Sequence, residues 1–120
     1  MGNSYGMTKR KKLVVKLDKV FSEFIRNRDK KCVVCHKTDR LTNGHLITRA
    51  KYSVRWSELN CSCQCSGCNY THEFNPHIYV NWFIGKYGLK KYQALIAESN
   101  QIKKFTDSDL ETLINKYTVK

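Results

Sequence analysis

The chain has 120 residues, with 22 Lys and Arg against 10 Asp and Glu, a formal net charge of +12. That length suits one domain with its own core, and a 41% hydrophobic content argues against wholesale disorder. No apolar run approaches the roughly 18–20 residues of a membrane span. No hydrophobic leader precedes the basic start, so we read a cytoplasmic protein with a polyanionic partner and no membrane.

In chain order, residues 1–12 read as a basic flexible arm. Its Lys9-Arg10-Lys11-Lys12 run suits either phosphate contact or simple solvation. Residues 13–120 read as a single domain. Leu13, Val14, Leu17, Val20, Phe21, Phe24 and Ile25 recur at the helical period, which places an N-terminal helix over 13–30. Residues 31–74 carry a first Cys-x-x-Cys knuckle, a short hairpin around Leu41–Ile47, a loop, and a second knuckle that opens a short helix. Helices fill 75–120. Asn75 and Pro76 read as the cap and first-turn proline of one that ends at Gly88, and Leu89–Ser99 forms the next. Thr106 reads as the N-cap of the last, with Asp107 and Asp109 in its first turn and Leu110, Leu113, Ile114 and Tyr117 on one face.

Six cysteines without an export signal point to metal rather than disulfides. Cys32, Cys35, Cys65 and Cys68 have the spacing of a tetrahedral zinc site, in which each pair grips the ion through a tight turn. Such a site, with four protein ligands and no open position, is structural. Cys61 and Cys63 make poorer knuckles and suit small buried residues, while His36 beside Cys35 is a possible substitute ligand or a surface histidine.

The chemistry is therefore sought between and beside the knuckles. His45 lies in an extended segment flanked by apolar residues, with a ring suited to take a proton from water or to act as a structural histidine. Asn60 precedes the second knuckle and Asn69 follows it. On a helix, Glu73 falls on the Asn69 face one turn later, with His72 beside it. A histidine base, an orienting amide and oxygen ligands for a hard cation make a coherent hydrolytic site.

The order Cys-x-x-Cys, Gly44-His45, Asn60, Cys-x-x-Cys-Asn69 resembles the HNH nucleases, whose ββα-metal motif cleaves phosphodiesters. Leu17-Asp18-x-x-Phe21-Ser22-x-Phe24-Ile25-Arg26-x-Arg28-Asp29 resembles the NinG (Rap) recombination family of lambdoid phages. Gly44-His45-Leu46-Ile47-Thr48-Arg49, Arg55-Trp56-x-x-x-Asn60, Gln64-Cys65-x-x-Cys68-Asn69 and Tyr87-Gly88 continue that match over roughly residues 13–90. The resemblance implies an α+β fold: a small zinc-braced ββα-metal core, treble-clef-like, with flanking N- and C-terminal helices. It also implies that His45 activates water, Asn60 holds the loop and orients the histidine, and Asn69 is a helix ligand to a catalytic Mg²⁺ or Mn²⁺. Two departures stand out. Gly44 occupies a position where many HNH enzymes have Asp or His as a second ligand, and the helix continues Asn69-Tyr70-Thr71-His72-Glu73 rather than with the family's usual Ser-Gly-Asn. Glu73 is the preferred second ligand because a hard cation favours oxygen, with His72, Asp39 and the backbone as alternatives.

Arg49 and Arg55 match family positions and can grip a phosphate with paired hydrogen bonds, with Lys51, Arg26, Arg28 and the Lys9–Lys12 run widening the track. Tyr52 and Trp56 suit base stacking or the core. No base-reading helix is evident, so structure-selective DNA binding is expected, on branched or partly single-stranded DNA and possibly by a homodimer. The leading expectation is a DNA endonuclease. The alternatives are a non-catalytic zinc-stabilised DNA-binding module and a protein-interaction zinc domain.

Overall fold

A computed structural model describes residues 6–118. Its elements are α1 (Lys9–Asp29), β1 (Leu41–His45), α2 (Tyr52–Arg55), β2 (Cys61–Cys65), α3 (Ser66–His72), α4 (His77–Tyr87), α5 (Leu89–Ser99) and α6 (Asp107–Tyr117). The chain divides into two compact units, one formed by residues up to Phe24 with those from Phe105 onward, the other by Ile25–Lys104. The expected single domain is thus two units, and α1 contributes to both.

In the first unit, the basic run Lys9–Lys12 is the first turn of α1 rather than an arm. Thr8 explains the earlier start: its hydroxyl accepts from the Lys11 N–H at 3.1 Å, satisfying an otherwise unpaired donor of the first turn. The rest of the predicted arm, residues 1–5, lies outside the described residues. The apolar stripe of α1 buries Val14, Leu17, Val20 and Phe21, and α6 buries Leu110, Ile114 and Tyr117. Phe21 and Tyr117 meet edge to face with ring centroids 4.7 Å apart. Thr106 caps α6 as expected, in a reciprocal capping box. Its hydroxyl accepts from Asp109 N–H at 3.0 Å, and the Asp109 carboxylate accepts from Thr106 N–H at 2.9 Å.

The second unit is built on a two-stranded antiparallel sheet in the register Leu41–Cys65, Thr42–Gln64, Asn43–Cys63, Gly44–Ser62 and His45–Cys61. The expected hairpin around Leu41–Ile47 is not formed locally. Its first strand pairs instead with Cys61–Cys65, across a connection that contains the short helix α2. The run Cys-Ser-Cys-Gln-Cys lacks an apolar–polar alternation because all five residues are buried, which hid it as a strand. Its outer edge is held by the end of α1. Asp29 accepts from Cys63 N–H at 2.8 Å, and Arg28 donates to the carbonyls of Glu58 and Cys61, each at 2.9 Å.

The core of this unit gathers Leu46, Val54, Tyr79, Phe83 and Leu95, from the loop after β1, α2, α4 and α5. Gly88, at φ 95°, joins α4 to α5 in the left-handed half of backbone space, where glycine alone is unstrained. Asn75 does not cap α4. Its N–H continues the α3 turn by donating to Thr71 O at 2.8 Å, and Pro76 takes the cap position.

Candidate functional site

The four knuckle sulfurs come together. Cys32 and Cys35 follow α1, while Cys65 ends β2 and Cys68 lies on α3, and their Sγ atoms all lie within 4.8 Å of one another. The Cys35 and Cys65 sulfurs are 3.6 Å apart, near the ~3.8 Å edge of a tetrahedron with Zn–S bonds of about 2.3 Å. In each knuckle the second cysteine's N–H donates to the first sulfur at 3.4 Å, which favours the thiolate. Burial pushes the Cys32 thiol up, but the N–H groups of Cys35, Cys65 and Val34 more than offset this and bring it down to about 7. Burial and the neighbouring sulfurs push Cys68 well above its ordinary value. Four such thiols compete for ionisation, and a divalent cation at their centre removes the competition. The four residues can therefore hold a structural metal ion such as zinc.

Cys61, Cys63 and His36 lie outside this cluster. Cys61 and Cys63 are fully buried beneath the sheet. Burial, with the charges of Asp29 and Cys32, pushes the Cys63 thiol up to about 11, so it is an inert apolar filler. His36 serves the first knuckle through its backbone, with φ 70° and its N–H donating to Cys32 O at 2.9 Å.

Asn60 is fully buried and ties down the loop after β1. Its Oδ1 accepts from Ile47 N–H at 2.8 Å, and its Nδ2 donates to Ile47 O at 3.0 Å and to Val54 O at 3.1 Å. The next carbonyl along the chain, Arg55 O, lies 2.9 Å from His45 Nε2. A carbonyl can only accept, so Nε2 carries the ring proton and Nδ1 is the basic nitrogen of the neutral imidazole. Asn60 thus holds the segment whose carbonyl sets the His45 tautomer.

Asn69 sits on α3, and its Nδ2 donates to Thr42 Oγ1 at 3.1 Å, while Thr42 Oγ1 donates to Gln64 O at 2.8 Å. Alternation along β1 places Thr42 and the Gly44 position on the face covered by α3, and His45 on the opposite face, at the strand's end. Of the two candidates beside Asn69, Glu73 is exposed at the C-terminus of α3. His72 turns inward, donates from Nε2 to Leu46 O at 2.8 Å and packs edge to face on Tyr79. Asp39 is exposed in the loop before β1.

The expected phosphate contacts separate. Arg49 and Lys51 are exposed. Arg55 is only 8% exposed, stacked against Tyr52 and Trp56 and donating to Arg49 O at 3.2 Å. Its guanidinium shapes the loop from within. Trp56 is likewise buried, whereas Tyr52 is 37% exposed. Arg28 is committed to Asp29 and the β2 edge rather than to a surface track. The Asp29 hydrogen bond, its largest influence, pushes its pKa further up.

Residues that sequence reasoning passed over complete the site. Tyr79 donates to Gly44 O at 2.8 Å, and burial pushes its phenol well above the ordinary range. Gln64 is 1% exposed and lies over Gly44, so that a Cβ there would stand 2.1 Å from Gln64 Oε1. A glycine inside a strand signals such a close approach, and this was the available clue. Gly44 departs from the HNH pattern because Gln64 fills the space a side chain would need.

The family model described as "Bacteriophage Lambda NinG protein" matches residues 4–120. The chain belongs to the NinG family. Comparison with curated proteins and with solved structures returned no match. Membership associates this NinG-family chain with phage recombination, and its four-cysteine cluster with metal binding. Among the described residues no helix is long and apolar enough to cross a membrane.

Proposed function

We propose that this chain is a metal-dependent, HNH-type endonuclease that hydrolyses DNA phosphodiesters. Its substrates would be branched or partly single-stranded recombination intermediates in the cytoplasm of a bacterial host. One observation carries the reading: Asn60 fixes the loop whose Arg55 carbonyl orients His45, at the end of the strand that leads into a zinc-type β1–β2–α3 unit. Such a histidine, held in one tautomer, is prepared to accept a proton rather than merely to fill space. His45 Nδ1 would take the proton from a water as its oxygen attacks phosphorus and the 3′-oxygen departs. A Mg²⁺ or Mn²⁺ ion bound beside α3 would neutralise the charge on the phosphate, with Asn69 and Glu73 as candidate ligands. Zinc at the four cysteines is the brace. The exposed Arg49 and Lys51 and a net charge of +12 would hold the DNA backbone.

The test is a cleavage panel of duplex, flap, D-loop and four-way junction DNA, run with and without Mg²⁺ or Mn²⁺. Cation-dependent cutting that is lost in a folded, zinc-loaded His45→Ala protein supports the reading. Equal cutting by that variant refutes the role of His45. The non-catalytic DNA-binding module is favoured by one feature, the displacement of any residue-44 side chain by Gln64. Tight binding of junctions without cutting under any cation would establish it instead.

A further inference from the structure

Two buried acceptors on the α3 side of the sheet have no partner. Gln64 Oε1 accepts from nothing, and neither does His72 Nδ1. Because Nε2 of His72 donates to the Leu46 carbonyl, Nδ1 must carry a lone pair rather than a proton. Both residues line one cavity of about 180 Å³, with Thr71, Asn75, Tyr79 and Cys68 among its walls. Buried acceptors left unpaired are costly, and two around one cavity point to an occupant that both can bind.

We infer that this cavity is a divalent-cation site, with Gln64 Oε1 and His72 Nδ1 as its protein ligands. An imidazole nitrogen with an amide oxygen suits Mn²⁺, Co²⁺, Ni²⁺ or Zn²⁺ better than Mg²⁺ or Ca²⁺. The side chains of Thr71 and Asn75 offer further oxygens from the cavity wall. The two neutral ligands do not balance the ion's charge, but a neighbouring group does. Cys68 lines the cavity, and four thiolates around one Zn²⁺ leave a net negative cluster beside it. An ion here would tie β2 to α3, the helix that carries Asn69. The site differs in its ligands from Asn69 and Glu73, and it stands whether or not the protein cuts DNA.

The experiment titrates the full, zinc-loaded chain with Mn²⁺, following free Mn²⁺ by electron paramagnetic resonance and zinc content in parallel. The expected result is one Mn²⁺ per chain beyond the zinc. Gln64→Leu and His72→Phe should each weaken it at least tenfold while zinc content is unchanged. Gln64→Glu, which keeps an oxygen at either terminal position, should bind as tightly or more tightly. No Mn²⁺ binding by the zinc-loaded wild type, as a cavity filled only by water would give, overturns the inference. So does an affinity unchanged by Gln64→Leu, or one weakened by Gln64→Glu. Mn²⁺ binding that needs Gln64 in a protein that cuts no DNA sustains this site and removes the nuclease reading. Cation-dependent cleavage by a wild type that binds no such Mn²⁺ does the reverse.

Discussion

Replacing Asn60 by alanine should be among the most damaging single changes in the second unit. The side chain is fully buried and makes three hydrogen bonds, one from Ile47 N–H and one each to the Ile47 and Val54 carbonyls. Truncation leaves one donor and two acceptors without partners in a region with little water. Each such group costs about 1–3 kcal/mol. The space vacated by the amide admits some water, so the total should settle at about 3–5 kcal/mol, a large fraction of a small domain's stability. Denaturant unfolding of zinc-loaded protein measures this directly. A second readout is specific to the site: nitrogen NMR of His45 should show the Nε2–H tautomer in the wild type. In Asn60→Ala, the freed Val54–Arg55 segment should give a mixture. A loss below about 1 kcal/mol with an unchanged tautomer would refute the idea that this amide positions the histidine.

Further outcomes follow from other parts of the structure. Metal analysis should find one zinc per chain, released by chelator together with the fold and abolished by Cys68→Ser, because the sulfurs must be ionised to bind. The same linkage makes release easier as pH falls. Asp29→Asn should cost about 1–2 kcal/mol at neutral pH by removing acceptors for Cys63 N–H and Arg28. Burial pushes the Asp29 carboxyl up, but the hydrogen bonds from Arg28 and Cys63, with the Arg28 charge, more than offset it and hold it below its ordinary value. Its stabilisation is therefore present above the unfolded carboxyl's pKa and fades as pH falls through and below that value. Paired unfolding curves of wild type and variant from pH 7 down to about 3 should converge. Gly44→Ala should cost about 1–3 kcal/mol, since the new Cβ meets Gln64. Adding Gln64→Ala should recover part of that loss in a double-mutant cycle.

The comparison of pattern with structure turns on range. Thr106 was readable as a cap, and Gly88 as a break between helices, because their reasons lie within a turn of each residue. The knuckle spacing was readable for the same cause: a Cys-x-x-Cys turn presents its sulfurs to one point wherever it occurs. The strand Cys61–Cys65 was not, because burial on both faces erased the alternation that marks a half-exposed strand.

What the sequence determined by itself is the metal-binding framework, the helical periods and the strong positive charge, all set by composition and local spacing. Only the tertiary structure decided where individual side chains act. Arg55 and Arg28 carry the charge that phosphate binding wants, yet packing turned one onto Tyr52 and Trp56 and the other onto the edge of β2. His72 and Glu73 are neighbours on one helix, but contact with Leu46 and Tyr79 drew the histidine inward and left the glutamate in water. Gly44 looked like a missing ligand until Gln64, its diagonal neighbour across the sheet, was seen to occupy its space. A side chain's type is written in the chain, but its partners come from segments far away in sequence, and those partners decide its role.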